Sequence, residues 1–226
     1  YCVISLIVQV GFGTVIALLL ESKLASSRFR NAFRNIYYIP ALISLTAVGL
    51  MFTFIYEPNL GLLNSAFKAL GLTSMTQSWL GDSKIAIYCI IAMSQWQYTG
   101  YITLLMVVAF QNVSPDYIEA ASIDGANKWQ QFTRISLPLL KPTTVYVLTI
   151  SIYAGLAMFN ESYMLWKGNN SPQNIGLTIV GYLYRQGIEK RAMGYACAVG
   201  LVLLVIVMIV NMIQLAATGT FKKEER

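Results

Sequence analysis

The sequence predicts an all-α fold, a polytopic transmembrane helix bundle with five visible spans, and three observations carry that prediction. The chain is 56% hydrophobic and only 12% charged, with a mean hydropathy of +0.58, whereas charged residues make up about a quarter of a typical soluble domain. Its apolar residues gather into runs near the length of roughly 20 residues that crosses the hydrocarbon layer. Its Lys and Arg residues stand at the ends of those runs and form no continuous patch, so the net charge of +6 reflects membrane placement and not a nucleic-acid partner. Lipid is the expected surrounding, and residues 1–226 are expected to form one membrane domain with no soluble domain beside it.

The spans are expected at about Tyr1 to Leu20, Ile36 to Tyr56, Ile85 to Phe110, Thr143 to Phe159 and Met193 to Ala217. The first connection carries Lys23, Arg28, Arg30 and Arg34 against Glu21 alone, the third carries Lys128, Arg134 and Lys141, and the tail carries Lys222, Lys223 and Arg226. These ten cations face six (Lys68, Lys84, Lys167, Arg185, Lys190, Arg191) in the alternate loops, which places the richer side in the cytoplasm. Tyr1 and the loops Glu57 to Lys84 and Glu161 to Ala192 are then outside. The chain opens on an apolar run at Tyr1 with no basic region ahead of it, so a span upstream, and six in all, is expected. The outer loop with Pro58, Gly61, Gly71 and Gly81 leaves room for a short interfacial helix around Leu62 to Leu70.

The segment Ser114 to Pro142 is polar, long for a loop and rich in helix punctuation. Ser114 can cap a helix, Pro115 suits its first position, and Asp116 and Glu119 set negative charge near the positive end of its dipole. That helix should run to about Ile123 and end at Gly125. Asp124 is expected to cap a second helix, with Trp129 and Phe132 on one face, that Pro138 and Pro142 stop. A helix–glycine–helix elbow showing Tyr117, Ala120, Ala121 and Ala126 has the form of a lever that seats in a partner's groove; an interfacial loop that stabilises the bundle is the alternative.

The run Glu119-Ala120-Ala121-Ser122-Ile123-Asp124-Gly125-Ala126, followed by Phe132 and by Leu137 to Pro142, resembles the EAA loop of binding-protein-dependent ABC importer permeases. The resemblance extends to Tyr38-Ile39-Pro40, Pro58 to Asn64, Trp79 to Asp82 and Phe110 to Pro115, and so covers nearly the whole chain as the carbohydrate-type permeases. It implies that the elbow is a coupling helix that docks on a cytoplasmic ATPase dimer through Glu119, Ala120, Ala121, Asp124, Gly125 and Ala126. It also implies a second permease subunit and an extracytoplasmic solute-binding protein as partners, with a carbohydrate as substrate. Where that family commonly has Gly-Gly-Gly-Pro, this chain reads Lys167-Gly168-Asn169-Asn170-Ser171-Pro172.

Polar residues inside a span must face protein or a wet cavity. The third span holds Ser94-Gln95-Trp96-Gln97-Tyr98-Thr99-Gly100, and amides beside aromatic rings suit a sugar, whose hydroxyls need partners and whose C–H faces stack on rings. Gln95, Gln97 and Tyr98 are therefore candidate solute contacts, with interhelical hydrogen bonding as the alternative for the amides and for Thr99. In the fourth span Ser151 and Gly155 fall one turn apart, with Tyr153 near them and Asn160 and Glu161 following; the resemblance puts solute contacts in this same pair of helices. Glu161, near the outer interface, reads equally as a solvated carboxylate, and Tyr182, Tyr184 and Arg185 as an interfacial belt or a receptor-docking surface.

No GxxxxGK[ST] occurs; the nearest approach, Gly176 to Gly181, is followed by Tyr182. The chain has no His, and no carboxylates cluster in the spans, so no catalytic residue, metal site or cofactor is expected and the energy must come from a partner. Cys2, Cys89 and Cys197 read as buried thiols. A permease of the same kind carrying a polyol phosphate would want cations in its spans, and a gradient-driven secondary transporter would want intramembrane ionisable residues or a paired repeat. None of these is visible.

Overall fold

In the computed structural model, which describes residues 1–21, 27–168 and 170–220, every regular element is helical and no strand occurs among the described residues. Lys23, Asn169, Lys222, Lys223 and Arg226, which entered the charge and loop readings above, lie outside them. The apolar opening run forms α1 (Cys2–Glu21) with a π-turn at Val8–Phe12. Helices α2 (Ser27–Leu42) and α3 (Leu45–Ile55) follow, then the short helix α4 (Leu62–Ala69) and the long α5 (Ser83–Gln111). The polar loop gives α6 (Pro115–Ile123) and α7 (Lys128–Leu139). After these come α8 (Lys141–Leu156), α9 (Asn160–Leu165), α10 (Ile179–Tyr184) and α11 (Met193–Ala217).

Among the described residues, only α1 and α11 are long and apolar enough to cross a membrane alone; α2 with α3, and α7 with α8, would each do so as a bent pair. The remaining expected span lies in α5, whose 29 residues reach about 43 Å at 1.5 Å per residue. The second span, expected as one helix over Ile36 to Tyr56, is instead broken by 94° between α2 and α3. Pro40 sits inside α2 and Ser44 turns extended at ψ 133°; proline removes a backbone donor and clashes with the preceding turn. The Ile43 carbonyl at the break accepts from Gln97 Nε2 of α5 at 3.2 Å. The Gln97 amide, expected to meet solute, is thus engaged with backbone and only 3% exposed. Gln97→Ala should remove the bond that satisfies the Ile43 carbonyl, at a cost of about 1 kcal/mol, and lower the thermal midpoint of the purified protein; an unchanged midpoint would show that the bend does not depend on this bond.

α5 is the hub, packing against α1, α2, α3, α8 and α9. Its N-terminal part joins one apolar core, where Ala86, Cys89, Ile90 and Met93 meet Val48 and Phe52 of α3, Tyr56 just past it, and Leu165 and Trp166 beyond α8. Its C-terminal part joins another, where Ile102, Met106 and Val107 meet Ala17 and Leu20 of α1 and Val147 of α8. Between them Gly100 lets α2 approach: a Cβ there would run into the Tyr37 carbonyl. α11 packs on α8 and α10 and turns Leu201, Leu204, Val205, Met208, Ile209 and Met212 outward, as a lipid-facing surface does.

The two ends of the bundle differ. At one, Glu21 pairs with Arg34 and the Gln111 amide lies 3.3 Å from the same carboxylate, so α1, α2 and α5 are tied beside the α6–α7 elbow. At the other, α4 forms within one residue of its expected limits. Asn64 there is 1% exposed; its Nδ2 donates to the Pro58 and Gln77 carbonyls at 2.8 and 2.9 Å, and its Oδ1 accepts from Gln77 N and Trp79 Nε1 at 3.3 and 2.7 Å. The stretches Pro58 to Asn64 and Trp79 to Asp82 are therefore one structure. Glu57 starts this loop, and the backbone N–H groups of Leu60 and then Asn59 hold its carboxyl below the usual carboxylate range.

Candidate functional site

A cavity of about 450 Å³ opens at the polar level of α5, between the two apolar cores, within the range of about 300–1,000 Å³ usual for small-molecule sites. Tyr1, just ahead of α1, and Ser5 and Gln9 within it take part, and α2 contributes Tyr38 and Ala41. From α5 come Tyr98, Tyr101 and Ile102, from α8 Ile150, Ser151, Ala154 and Gly155, and from α9 Glu161. The lining mixes four tyrosines, two hydroxyls, an amide and a carboxylate with aliphatic walls. It offers hydrogen-bond partners and ring faces together, the combination a polyhydroxylated ring uses. Ser151 Oγ is buried without a hydrogen-bond partner in the protein.

Of the sequence-derived candidates, Tyr98, Ser151 and Gly155 meet at this cavity. Gln97 does not line it: its Nε2 is held at the α2–α3 bend, while its Oε1 is buried without a partner. Gln95 points to a separate hollow with Phe12, Tyr37, Trp96 and Thr99, where neither of its amide atoms has a partner. Asn160 and Tyr153 are exposed and outside the lining.

Glu161 is the main departure. Placed near the outer interface, with a solvated carboxylate and a solute ligand both left open, it is 8% exposed and accepts from Tyr98 Oη at 3.1 Å. The chain breaks after α8, with Phe159 at φ −146°, ψ −56°, and α9 folds back onto α3, which carries Glu161 inward. Tyr1, Ser5, Gln9 and Tyr38 were also missed. Ser5 and Gln9, 4% and 8% exposed, sit one turn apart in an otherwise apolar run; that pair was the available signal. Tyr184 packs with Phe159 and Tyr163, and Arg185 reaches Asn174 Oδ1 at 3.2 Å.

The elbow is built locally. Ser114 Oγ accepts from Asp116 N at 3.3 Å and Pro115 fills the first position of α6. Gly125 takes φ +80°, while the Gly125 and Ala126 amides return to the Ser122 and Ala121 carbonyls at 3.1 and 2.9 Å, a Schellman ending. The cap of α7 is Asn127 and not Asp124: Asn127 and Gln130 exchange side-chain-to-backbone bonds of 2.9 Å each, a capping box. Gln131 Nε2 then clamps the elbow, donating to Ser122 Oγ and the Ala126 carbonyl at 2.9 Å each.

Pro138 does not stop α7; it lies within it, one residue past the start of the turn that follows a π-turn at Phe132–Ser136. Widening the turn before a residue with no N–H accommodates it. Pro142 instead opens α8, which leaves α7 at 61°. Trp129 and Phe132 do share a face, at 5.9 Å between centroids, and Phe132 also stacks on Phe110 of α5 at 6.5 Å. Glu119, Ala120, Asp124 and Gly125 are exposed, and Ala121 and Ala126 half-buried. Beside them Ile123 is 87% and Trp129 71% exposed, an apolar tip beyond the bundle that Ile123, missed above, completes.

Residues 9–218 match the family model described as binding-protein-dependent transport system inner membrane component. The arabinooligosaccharides transport system permease protein AraP of Bacillus subtilis is 44% identical over 221 residues, 97% of this chain and 69% of that protein. The lactose transport system permease protein LacF of Rhizobium radiobacter is 30% identical, over 95% of this chain and 73% of that one. Among solved structures, a chain of the bacterial alginate ABC transporter, crystallised in complex with an alginate pentasaccharide-bound periplasmic protein, superposes with a TM-score of 0.87 at 24% identity, covering 98% of this chain and 76% of that chain.

Proposed function

Since the chain belongs to the family of binding-protein-dependent transport system inner membrane components, we propose that it is the membrane-spanning permease subunit of an ATP-driven importer of carbohydrate, a sugar or oligosaccharide. The observation that carries the substrate class is the cavity in which Tyr98, Ser151 and Glu161 meet three further tyrosines and an amide, together with relatives named for arabinooligosaccharides and lactose. Ser5, Gln9 and Tyr38 join the solute contacts. The cavity lies in the bundle wall, so a second permease subunit closes it from the other side.

ATP hydrolysis belongs to a separate ATPase dimer seated on the elbow, with Glu119, Ala120, Asp124 and Gly125 at the contact and Ile123 and Trp129 as its apolar anchors. The elbow end is cytoplasmic, and the end organised by Asn64 faces a solute-binding protein outside. The Phe132–Phe110 stack joins the elbow to α5, on which Tyr98 stands, so displacement of the elbow reaches the cavity and exposes it to each side in turn. The test is reconstitution of the complete complex in liposomes: uptake of a labelled neutral oligosaccharide should require internal ATP and loaded binding protein. Uptake that persists without ATP and collapses with an ion gradient would sink the reading.

A further inference from the structure

We propose that Glu161 makes the cavity a charge filter that admits uncharged glycans and turns away uronates and phosphorylated sugars. This rests on the reading of the chain as a carbohydrate permease subunit. The fold leaves charge selection open, for the same fold occurs in a bacterial transporter involved in the import of the acidic polysaccharide alginate, so selection must lie in the side chains. Among the described residues lining this cavity there is no Lys or Arg, and Glu161 is the one ionisable carboxylate.

Glu161 is held in place rather than free to swing away: Tyr98 Oη donates to its Oε1 at 3.1 Å, and the residue is 8% exposed. A carboxylate has about four acceptor positions and no donor, so those left over suit the hydroxyl hydrogens of a neutral sugar. An anionic group brought to the same place finds like charge within a few ångströms and no Lys or Arg from this chain's lining to offset it. The arrangement therefore separates two classes of glycan of equal size and shape by charge alone. Glutamine at this position retains an acceptor oxygen for Tyr98 and removes the charge, which separates the filter from a purely structural tie.

The experiment measures binding of three trimers to the complete transporter in nanodiscs, without the solute-binding protein: an arabinose trimer, a galacturonate trimer and the methyl ester of that galacturonate trimer. The wild type should bind the arabinose trimer and the ester and should bind the acid about tenfold more weakly than its ester, or less still, as expected for like charges close together at an effective dielectric constant near 20. In Glu161→Gln the acid-to-ester ratio should approach one, whatever happens to the absolute affinities, while in Tyr98→Phe, which keeps the charge, the discrimination should persist. Equal binding of acid and ester by the wild type overturns the filter without need of any variant, as does an undiminished ratio in Glu161→Gln. A wild-type complex that binds none of the trimers removes the carbohydrate reading itself, and the filter with it.

Discussion

Valine at position 125 is expected to reduce solute-stimulated ATP hydrolysis to the unstimulated rate and to strip the ATPase from the purified complex. Gly125 sits at φ +80°, where a β-branched side chain is strained by about 1–3 kcal/mol. Nothing lies within 4 Å of the position a Cβ would take, so the whole effect comes from the backbone and none from crowding. Relief of that strain undoes the return bonds of the Gly125 and Ala126 amides and changes the angle between α6 and α7. Asparagine tolerates the left-handed region better than other residues, so Gly125→Asn should keep most of the coupling that Gly125→Val loses. Hydrolysis rates in reconstituted membranes and a pull-down of the ATPase decide the matter. Full stimulation and full co-purification in Gly125→Val would mean that the elbow is not where the ATPase acts.

The larger loss should follow from Gly100→Val, and it should be a loss of protein rather than of coupling. A Cβ at Gly100 meets the Tyr37 carbonyl carbon at 2.9 Å and the Tyr38 Cα at 3.3 Å, and these are backbone atoms that no rotamer change can move aside. Overpacking a tight site costs typically about 1–3 kcal/mol, and more where the neighbour cannot yield. Pushing α2 off α5 would also withdraw the Ile43 carbonyl from Gln97. Membrane-extracted yield and size-exclusion profile should collapse for Gly100→Val and fall partway for Gly100→Ala, whereas Gly125→Val should be extracted normally. Gly100→Val recovered at wild-type yield with an unchanged thermal midpoint would show that the α2–α5 approach is not needed for the fold.

How much of this was legible in the sequence depended on how far apart the partners are. The α6 limits and the turn at Gly125 could be read because Ser114, Pro115 and Gly125 act on their own backbone neighbours; even the misplaced cap, Asp124 for Asn127, is an error of three residues within a local code. The short helix α4 was readable for the same reason. The break between α2 and α3 was not, since Ile36 to Tyr56 is a continuous apolar run whose one visible warning is Pro40, and the amide that satisfies the break comes from Gln97, 54 residues away. The same distance effect misdirected the site. Gln97 and Tyr98 look equivalent in sequence, and only the packing of the α2–α3 break and of α9 against α5 assigns one to the backbone and the other to the cavity. Glu161 stayed undecided between ligand and solvated carboxylate because its burial is set by α9 folding back onto α3, which no periodicity within six residues reveals.

The separation of the apolar packing into two cores, with the cavity level between them, bears on how such a chain can diverge. Residues of the cavity level, such as Ser5, Gln9 and Ser151, belong to neither core, so exchanging them changes what is recognised while the two blocks that hold the helices together are untouched. Exchanges at those polar positions can shift specificity with little effect on stability, whereas Ile102, a cavity wall that also belongs to the core around the C-terminal part of α5, ties the two together. A single ancestral frame could be retuned from one cargo to another by a few substitutions in one thin layer, with no intermediate forced through an unstable fold.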